Sequence, residues 1–456
     1  MKGKNLRCFI ILFLLILKST FLFSQDVLSR RIEDDSYIRA GIMDSWFRES
    51  PERVLSRLGQ REIYNLRGGG QVQLRVESSQ ANREEFAIVL ARGQNGNFNS
   101  WNQGSWSLIR SRDNNNSLSR IIYFPRSDFN VYLQFRPFSE ERSFVDFVIY
   151  DAFLIQSYPL PLPFERIMVL PIEEVLALMG NQLPRRYLDP EPFMYRDSMS
   201  FIRAIRERLP ELAYIDDGAI NEYGEYVYIN TLLPQNPSSH NGFMGLNCSG
   251  FVKWVVDGIL RPFTGERLPI APLKEFFGSR GSSYTDIWES ERDPFFGLDW
   301  NRNLASQAGG ILRSPSFSSL EEIEVREIPF SRLNIRMLGG GINIRHPAYI
   351  EEAGFPAESL LPLLYTLAID EPGRIYLAAV NAEMGPPTTA ANPRGIPRIR
   401  QYYHVAVLIP YFNERGTFQV AVFESAAETS ITAFISRYPG EFVNLVRIPI
   451  DGRFDP

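Results

Sequence analysis

Short alternating runs of apolar and polar residues dominate the chain between residues 71 and about 158. Six such runs lie at residues 72–76, 86–90, 106–109, 121–124, 131–135 and 144–150. Turn-rich segments separate them, for example at 93–97 and 113–116. Alternation with a period of two predicts strands, and six short strands at this spacing predict a β-sandwich. The proline-rich segment at 158–163 predicts a stiff connector at the end of this domain.

The apolar period changes from two to that of a helix after residue 195. A helix is predicted over 197–208, and a second, buried helix begins at Cys248, followed by apolar residues at helical spacing: Phe251, Val252, Val255, Val256 and Ile259. Residues 261–360 are rich in Pro, Gly and Ser and predict a long insertion of loops and short helices. Strands are predicted at 374–380, 402–409, 418–423 and 443–448. Helices followed by an antiparallel sheet predict an α+β domain.

The first 24 residues have the pattern of a secretory signal. Lys2, Lys4 and Arg7 precede an apolar run at 8–17, and Ser24 fits the position before the cleavage site. This run is too short for a comfortable membrane span, so we expect no integral span after the leader is removed. The expected organisation is a signal peptide at 1–24, a β-rich domain at 25–165, a linker at 166–194 and a second domain at 195–456. The expected location is the periplasm or the cell envelope.

Composition and charge restrict the classes of partner. The chain of 456 residues is 44% hydrophobic and 22% charged, as is typical of globular proteins that contain two or three domains. Loss of the leader removes four basic residues and no acidic ones, which changes the formal net charge from −5 to −9. Nucleic-acid binding requires clustered positive charge, so no nucleic-acid partner is expected.

Cys248 is the candidate nucleophile. The other cysteine, Cys8, leaves with the signal, so Cys248 has no internal disulfide partner. A thiol at a helix start lies near unpaired backbone N–H groups, which favour the thiolate. Gly245 and Gly250 are predicted to leave room for a substrate backbone. The alternative is that Cys248 is a small buried apolar residue.

A cysteine nucleophile needs an imidazole base, and the chain has three histidines, His240, His346 and His404. His404 begins an alternating run that is followed by a hairpin loop at 413–415 and by Gly416. If Gly416 supplies the positive φ, Phe412 faces Gly416 and His404 lies opposite Glu424. A carboxylate about 5 Å away across the strands could then hold the imidazole. The alternatives are a histidine satisfied in the core and a glutamate solvated at the strand end.

Four segments together resemble the NlpC-type cysteine peptidases, the papain-like endopeptidases of bacterial cell walls. Gly-Leu-Asn-Cys-Ser-Gly-Phe-Val at 245–252 resembles the nucleophile motif of that family, which has aspartate where this chain has Asn247. His-Val-Ala-Val-Leu-Ile at 404–409 resembles the histidine strand, and residues 371–377 resemble the strand before it. Residues 224–228 resemble a segment that contains an active-site tyrosine, here Tyr226. Glu424 falls where the family has its third polar residue, often histidine.

The resemblance covers roughly residues 195–450 and implies a papain-like fold that carries a long insertion. It implies an exported cysteine hydrolase that cleaves amide bonds in the stem peptides of peptidoglycan, with Cys248 as nucleophile, His404 as base and Glu424 as its orienting partner. Tyr226 would assist the backbone N–H of Cys248 in stabilising the oxyanion. No cofactor is expected, and no metal either, since the three histidines lack a short ligand spacing.

The N-terminal domain would then bind the cell wall. Trp101 and Trp106 lie beside a loop rich in Gly and Asn and are candidates for stacking on carbohydrate; alternatively, they close the core of the domain. Two other functions stay open for the chain as a whole. One is an acyltransferase or amidase that acts on another substrate, and the other is an inactive binding or scaffold protein of the cell envelope.

Overall fold

The computed structural model describes residues 34–78, 84–112, 118–183, 185–239, 242–277, 293–312, 320–326, 334–335, 349–384 and 399–456. The chain divides into two compact units. The first comprises the residues up to Asp146 with Ser157–Leu183, and the second comprises Phe147–Gln156 with Pro184–Pro456. The predicted signal peptide, His240 and His346 lie outside the described residues. Within those residues, no helix is both long and apolar enough to cross a membrane.

The first unit is built mainly from antiparallel strands. Its strands are β1 (Arg61–Asn65), β2 (Gln71–Ser78), β3 (Glu85–Arg92), β4 (Trp106–Ser111), β5 (Leu118–Tyr123) and β6 (Val131–Pro137). Strand β7 (Ser143–Ile149) begins in this unit and β8 (Ala152–Leu160) ends in it, while residues 147–156 belong to the second unit. Its helices are α1 (Ser36–Gly41), α2 (Pro51–Leu55), α3 (Phe164–Val169) and α4 (Ile172–Ala177), and a π-helical turn covers Met43–Phe47.

The six predicted runs correspond to strands β2 to β7, and only the last residues of the fourth and sixth runs lie outside them, but the predicted β-sandwich is wrong. Strands β1 to β8 hydrogen-bond in chain order as one sheet, whereas a sandwich requires two. The order has a simple cause, because each strand pairs with the strand that follows it and no long crossover carries a strand to a second sheet. Strand β1 was not predicted because its side chains are mostly exposed and do not alternate.

Two predictions at the ends of these strands also change. The segment at 158–163 is only partly a connector, since β8 continues to Leu160. Trp106 is buried, and the guanidinium carbon of Arg39 lies 3.7 Å from the centre of its ring. Trp101 is 39% exposed and meets Phe129 edge to face at 6.0 Å. Trp106 is therefore a core residue, and only Trp101 could be reached by a ligand.

The second unit combines helices with a separate sheet. Its helices are α5 (Arg196–Arg208), α6 (Cys248–Thr264), α7 (Phe296–Ile311), α8 (Leu320–Ile323), α9 (Leu360–Asp370) and α10 (Ile431–Ser436). Its strands are β9 (Ala219–Ile220), β10 (Tyr226–Val227), β11 (Asn334–Ile335), β12 (Phe355–Pro356), β13 (Arg374–Met384), β14 (Ile399–Phe412), β15 (Phe418–Glu424), β16 (Ala427–Ser430) and β17 (Phe442–Pro449). The 3₁₀ turns along the chain are Gly180–Gln182, Arg185–Tyr187, Pro192–Tyr195, Leu209–Glu211, Pro237–Ser239, Ala271–Lys274 and Ala357–Ser359.

The main sheet of the second unit has the order β12-β17-β13-β14-β15-β16 and is antiparallel. Strands β13 and β14 lie at its centre, and residues 405–409 of β14 are fully buried. Such a continuous buried run is expected where both faces of a strand are covered. The prediction of an α+β arrangement with antiparallel sheets is confirmed.

Helices α6 and α7 pack against β14. Helix α6 ends at Gly265, whose φ of 76° permits the left-handed cap, and its residues from Ser249 to Leu260 are all buried. Helix α7 lies inside the predicted insertion of loops and short helices, so that description was wrong for this part. Gly297 allows α7 to approach β14 closely, because a Cβ atom there would collide with the carbonyl oxygen of Tyr402. The insertion therefore supplies a core helix.

Candidate active site

Cys248 is the first residue of α6, and Asn247 caps the helix. The side-chain oxygen of Asn247 accepts a hydrogen bond from the Gly250 N–H at 2.8 Å, which satisfies one of the free donors of the first turn. Its side-chain nitrogen donates to the Asp216 carbonyl at 3.3 Å. Aspartate could accept the first bond but could not donate the second. The asparagine in the motif therefore has a structural reason in this chain.

The glycines that flank the cysteine do not make room for a substrate, so that prediction is wrong. A Cβ atom at Gly245 would collide with the carbonyl of Ala213, and one at Gly250 would collide with the carbonyl of Gly218. The chain's own segment at 213–219 fills the space that both glycines leave. Their role is to let this segment run against the start of α6, where the Leu246 N–H donates to the Ala213 carbonyl at 2.8 Å.

The thiol of Cys248 is half-buried and hydrogen-bonds to the imidazole of His404. Burial alone would raise the pKa of the thiol. The His404 side chain opposes burial, together with hydrogen bonds from the Val405 N–H and the Ser249 hydroxyl, and the net pKa of Cys248 is lowered. Ser249 is itself held, since the indole N–H of Trp300 on α7 donates to its carbonyl at 3.0 Å. The surroundings of the sulfur therefore favour the thiolate.

His404 lies on β14 next to an irregularity of the sheet. Val380 pairs with His404 and Asn381 pairs with Tyr402, so Tyr403 is an extra residue that forms a β-bulge. The Nε2 atom of His404 lies 2.7 Å from Oε2 of Glu424. Burial would lower the pKa of His404, but its bonds to Cys248 and Glu424 raise the pKa to about 9. At neutral pH the imidazolium is therefore the favoured form.

The contact between His404 and Glu424 was predicted, but through a register that is wrong by two residues. Phe412 pairs with Phe418, and Val407 pairs with Phe423. Glu424 is thus one step beyond the Phe423 pair and meets His404 diagonally. The two side chains keep the same face because a shift of two residues leaves the alternation unchanged.

The cause of the register shift is Asn413, which the sequence had suggested as a loop residue. Its side-chain oxygen accepts from the N–H groups of Arg415 and Thr417, each at 3.0 Å, and its own N–H donates to the Thr417 carbonyl at 3.0 Å. Asn413 therefore pairs with Thr417 and closes the hairpin. Gly416 adopts the predicted positive φ, with a value of 74°.

Glu424 is almost fully buried, with 6% of its surface exposed. One carboxylate oxygen is bound to His404, and the other accepts a hydrogen bond from the guanidinium of Arg437. Burial would raise the pKa of Glu424, but these two bonds outweigh it and lower the pKa below its ordinary value. Glu424 is therefore an ionised carboxylate with both oxygens used. No sequence motif could have indicated Arg437.

The thiol of Cys248 is not among the groups that shift the pKa of Tyr226. Tyr226 pairs with Ile220 in a short hairpin, and burial raises its pKa, modified by the charges of Arg267 and Glu211. The charge of Cys248 acts instead on Tyr214, whose hydroxyl donates to Asp216 at 3.1 Å. Tyr214 lies in the segment that runs against the start of α6. Sequence reasoning missed it because it belongs to no motif.

The described residues combine a thiol, an imidazole and a carboxylate in one hydrogen-bonded series, followed by an arginine. This arrangement can form a nucleophile and can store and return one proton. In the described part of the chain, no three side chains among His, Cys, Asp and Glu are grouped to hold a metal ion.

A family model described as "Domain of unknown function (DUF8515)" matches residues 29–187. No curated protein and no solved structure matches the chain. The matched segment includes the strands of the first unit. Cys248, His404 and Glu424 all lie outside it, so the match carries no information about the candidate site.

Proposed function

We propose that this protein is an exported cysteine hydrolase with a papain-like second domain, which cleaves amide bonds in the stem peptides of peptidoglycan. The observation that supports it most is the series Cys248–His404–Glu424, in which the thiol is at a helix start and both of its partners are on adjacent antiparallel strands. The resemblance to NlpC-type peptidases suggests the substrate class. The first unit would act as a wall-binding module, with the exposed ring of Trp101 as a candidate glycan contact.

The chemistry follows from the charge states at the site. The Cys248 thiolate attacks the carbonyl carbon, and a new C–S bond forms as the carbonyl π electrons move to oxygen. The backbone N–H of Cys248, the first residue of α6, would stabilise that oxyanion. His404 then donates its proton to the amine as the C–N bond breaks, which leaves a thioester. A water molecule, deprotonated by His404, attacks the thioester and releases the acid and the thiolate.

The direct test is digestion of purified peptidoglycan by the mature protein and by its Cys248→Ala variant, with mass spectrometry of the released fragments. Wild type should release peptides that Cys248→Ala does not. Tyr226→Phe serves as a matched control and should keep most of the activity. The charge of Cys248 affects the pKa of Tyr214 and is not among the charges that affect the pKa of Tyr226. Equal release by wild type and Cys248→Ala would contradict the peptidase proposal.

A second candidate is an acyltransferase or amidase that acts on a less polar substrate. Several large apolar side chains near the start of α6 are exposed, including Tyr214 at 56%, Phe243 at 63% and Met244 at 44%. Their loops are fixed rather than free, since the Gly245 N–H donates to the side chain of Gln235 at 2.9 Å. Cleavage of p-nitrophenyl esters that accelerates with acyl chain length, and is lost in Cys248→Ala, would favour this candidate. An unreactive thiol would favour the inactive scaffold protein.

A further inference from the structure

Arg437 is the one strongly basic side chain that contacts the buried carboxylate of Glu424 among the described residues. It follows directly after α10, whose start is capped by Ser430, with its hydroxyl accepting from the Ala433 N–H at 3.1 Å. The guanidinium carbon lies 5.6 Å from the ring centre of Phe434 and 5.5 Å from that of Tyr438. Two aromatic rings and a capped helix thus restrict where the guanidinium can lie.

The charges in this series decide how easily His404 can release its proton. An ionised carboxylate alone beside an imidazolium stabilises the charged form of the histidine, and burial strengthens this attraction. A base that holds its proton too tightly is a poor proton donor to a leaving group. Because Arg437 contacts the second oxygen, Glu424 and Arg437 together carry no net charge. The pair can therefore orient the imidazole as a neutral polar group would.

We propose that Arg437 is a positioning residue, which fixes the Glu424 carboxylate against His404 and offsets its charge so that the imidazolium can still give up its proton. This inference rests on the proposed function, because it assigns a role within the same site. Arg437 contacts Glu424 and is not among the groups that act on the Cys248 thiol. Its effect passes through Glu424.

Among the described residues, few other titratable groups surround this series. The thiol of Cys248 on α6 faces His404, and Tyr214 and Asp216 lie on the side of the thiol. Around the carboxylate are the phenols of Tyr403 on β14 and Tyr438 after α10, which are hydrogen-bonded to each other, and the charge of Glu441 also acts on Tyr403. Burial raises the pKa of both phenols, so they stay neutral between pH 5 and about 9. Changes in this range therefore report Cys248 and His404.

The test measures the rate of Cys248 alkylation by iodoacetamide against pH, together with a histidine-labelled NMR titration of His404. Arg437→Met should raise the pKa of His404, so the NMR titration profile of this histidine should move upward by about one pH unit, since a nearby positive charge is lost. Arg437→Lys keeps the charge and should return the profile most of the way to wild type. Arg437→Gln provides a second neutral variant should Arg437→Met fold poorly.

Arg206→Met is a matched control. Arg206 on α5 binds both oxygens of Glu428 at 2.8 and 2.6 Å, and its side chain is 47% exposed against 45% for Arg437, but its carboxylate does not touch His404. This variant should leave the profile unchanged. An Arg437→Met profile that superimposes on wild type would overturn the positioning role. Equal alkylation of wild type and His404→Ala would instead overturn the proposed function, so the two failures are distinguishable.

Discussion

Arg39 in the first unit and Arg437 in the second each neutralise a buried carboxylate, yet their surroundings differ. Arg39 is 1% exposed and donates to Asp35 at 2.6 Å and to the carbonyls of Met168 at 2.8 Å and Leu170 at 2.7 Å. Every one of these partners is an acceptor that holds the fold together. Arg437 is partly exposed, and the carboxylate it contacts leads through His404 to a thiol.

The pKa directions express the same difference. Burial raises the pKa of Asp35 to about 6, and the attraction of Arg39 only partly offsets it. For Glu424, burial is outweighed by bonds from His404 and Arg437, and its pKa is lowered. A buried ion pair is common in structural clusters and does not by itself mark a site. Arg437, Glu424 and His404 are distinguished as a candidate site because the series ends in the half-buried thiol of Cys248.

The largest expected effect concerns the buried ion pair of Arg39 and Asp35 in the first unit. Arg39→Met should lower the free energy of unfolding by about 3 to 5 kcal/mol, because it leaves Asp35 buried without its partner. Denaturant unfolding measures the loss. The double variant Asp35→Asn with Arg39→Met should recover part of it, since the uncompensated carboxylate is then gone. If Arg39→Met instead reduced Cys248 alkylation in the folded protein, this would contradict the claim that Arg39 has only a structural role.

The next effect concerns reactivity rather than stability. His404→Ala should slow alkylation of Cys248 at neutral pH by about 100-fold, because a buried thiol without an imidazole partner is mostly protonated. Peptide mass spectrometry after timed exposure to iodoacetamide gives the rate. Tyr226→Phe is the control and should react like wild type. A fast reaction in His404→Ala would show that the helix start alone activates the thiol.

The pH dependence of stability follows from the same histidine. The pKa of His404 is raised from 6.5 to about 9 in the folded protein, so its contribution to stability is fully present below pH 6.5 and is lost as the pH rises through about 9. His404→Ala should therefore flatten the decline in unfolding free energy over this interval. If the unfolding free energy of this variant declined as much as that of wild type, the decline would have to come from other groups.

The smallest effect concerns the helix cap. Asn247→Ala should lower the free energy of unfolding by about 1 kcal/mol, because the Gly250 N–H loses its acceptor. Asn247→Asp retains this acceptor and loses only the donation to the Asp216 carbonyl, so it should be less destabilising. Thermal unfolding of the three proteins measures the order. A larger loss for aspartate than for alanine would show that charge near the thiol matters more than the cap.

Local patterns predicted much of the second unit. The helix that begins at Cys248, the four late strands and the positive φ of Gly416 all follow from short-range rules of periodicity and turn geometry. The hairpin register was wrong because the side chain of Asn413 hydrogen-bonds to the N–H groups of Arg415 and Thr417, and such loop contacts are not visible in an apolar pattern. The predicted meeting of His404 and Glu424 survived only because the error was an even number of residues.

Long-range packing decided what periodicity could not. The sequence by itself determined strands β2 to β7, the helix start at Cys248 and the facing sides of β14 and β15, since these depend on neighbours a few positions apart. Only the tertiary structure decided that the early strands form one sheet, that Gly245 and Gly250 face the segment at 213–219, and that Arg437 contacts Glu424. Each of these features depends on contacts between residues that are far apart in the chain, and the spacing of residues in a single sequence does not predict such contacts.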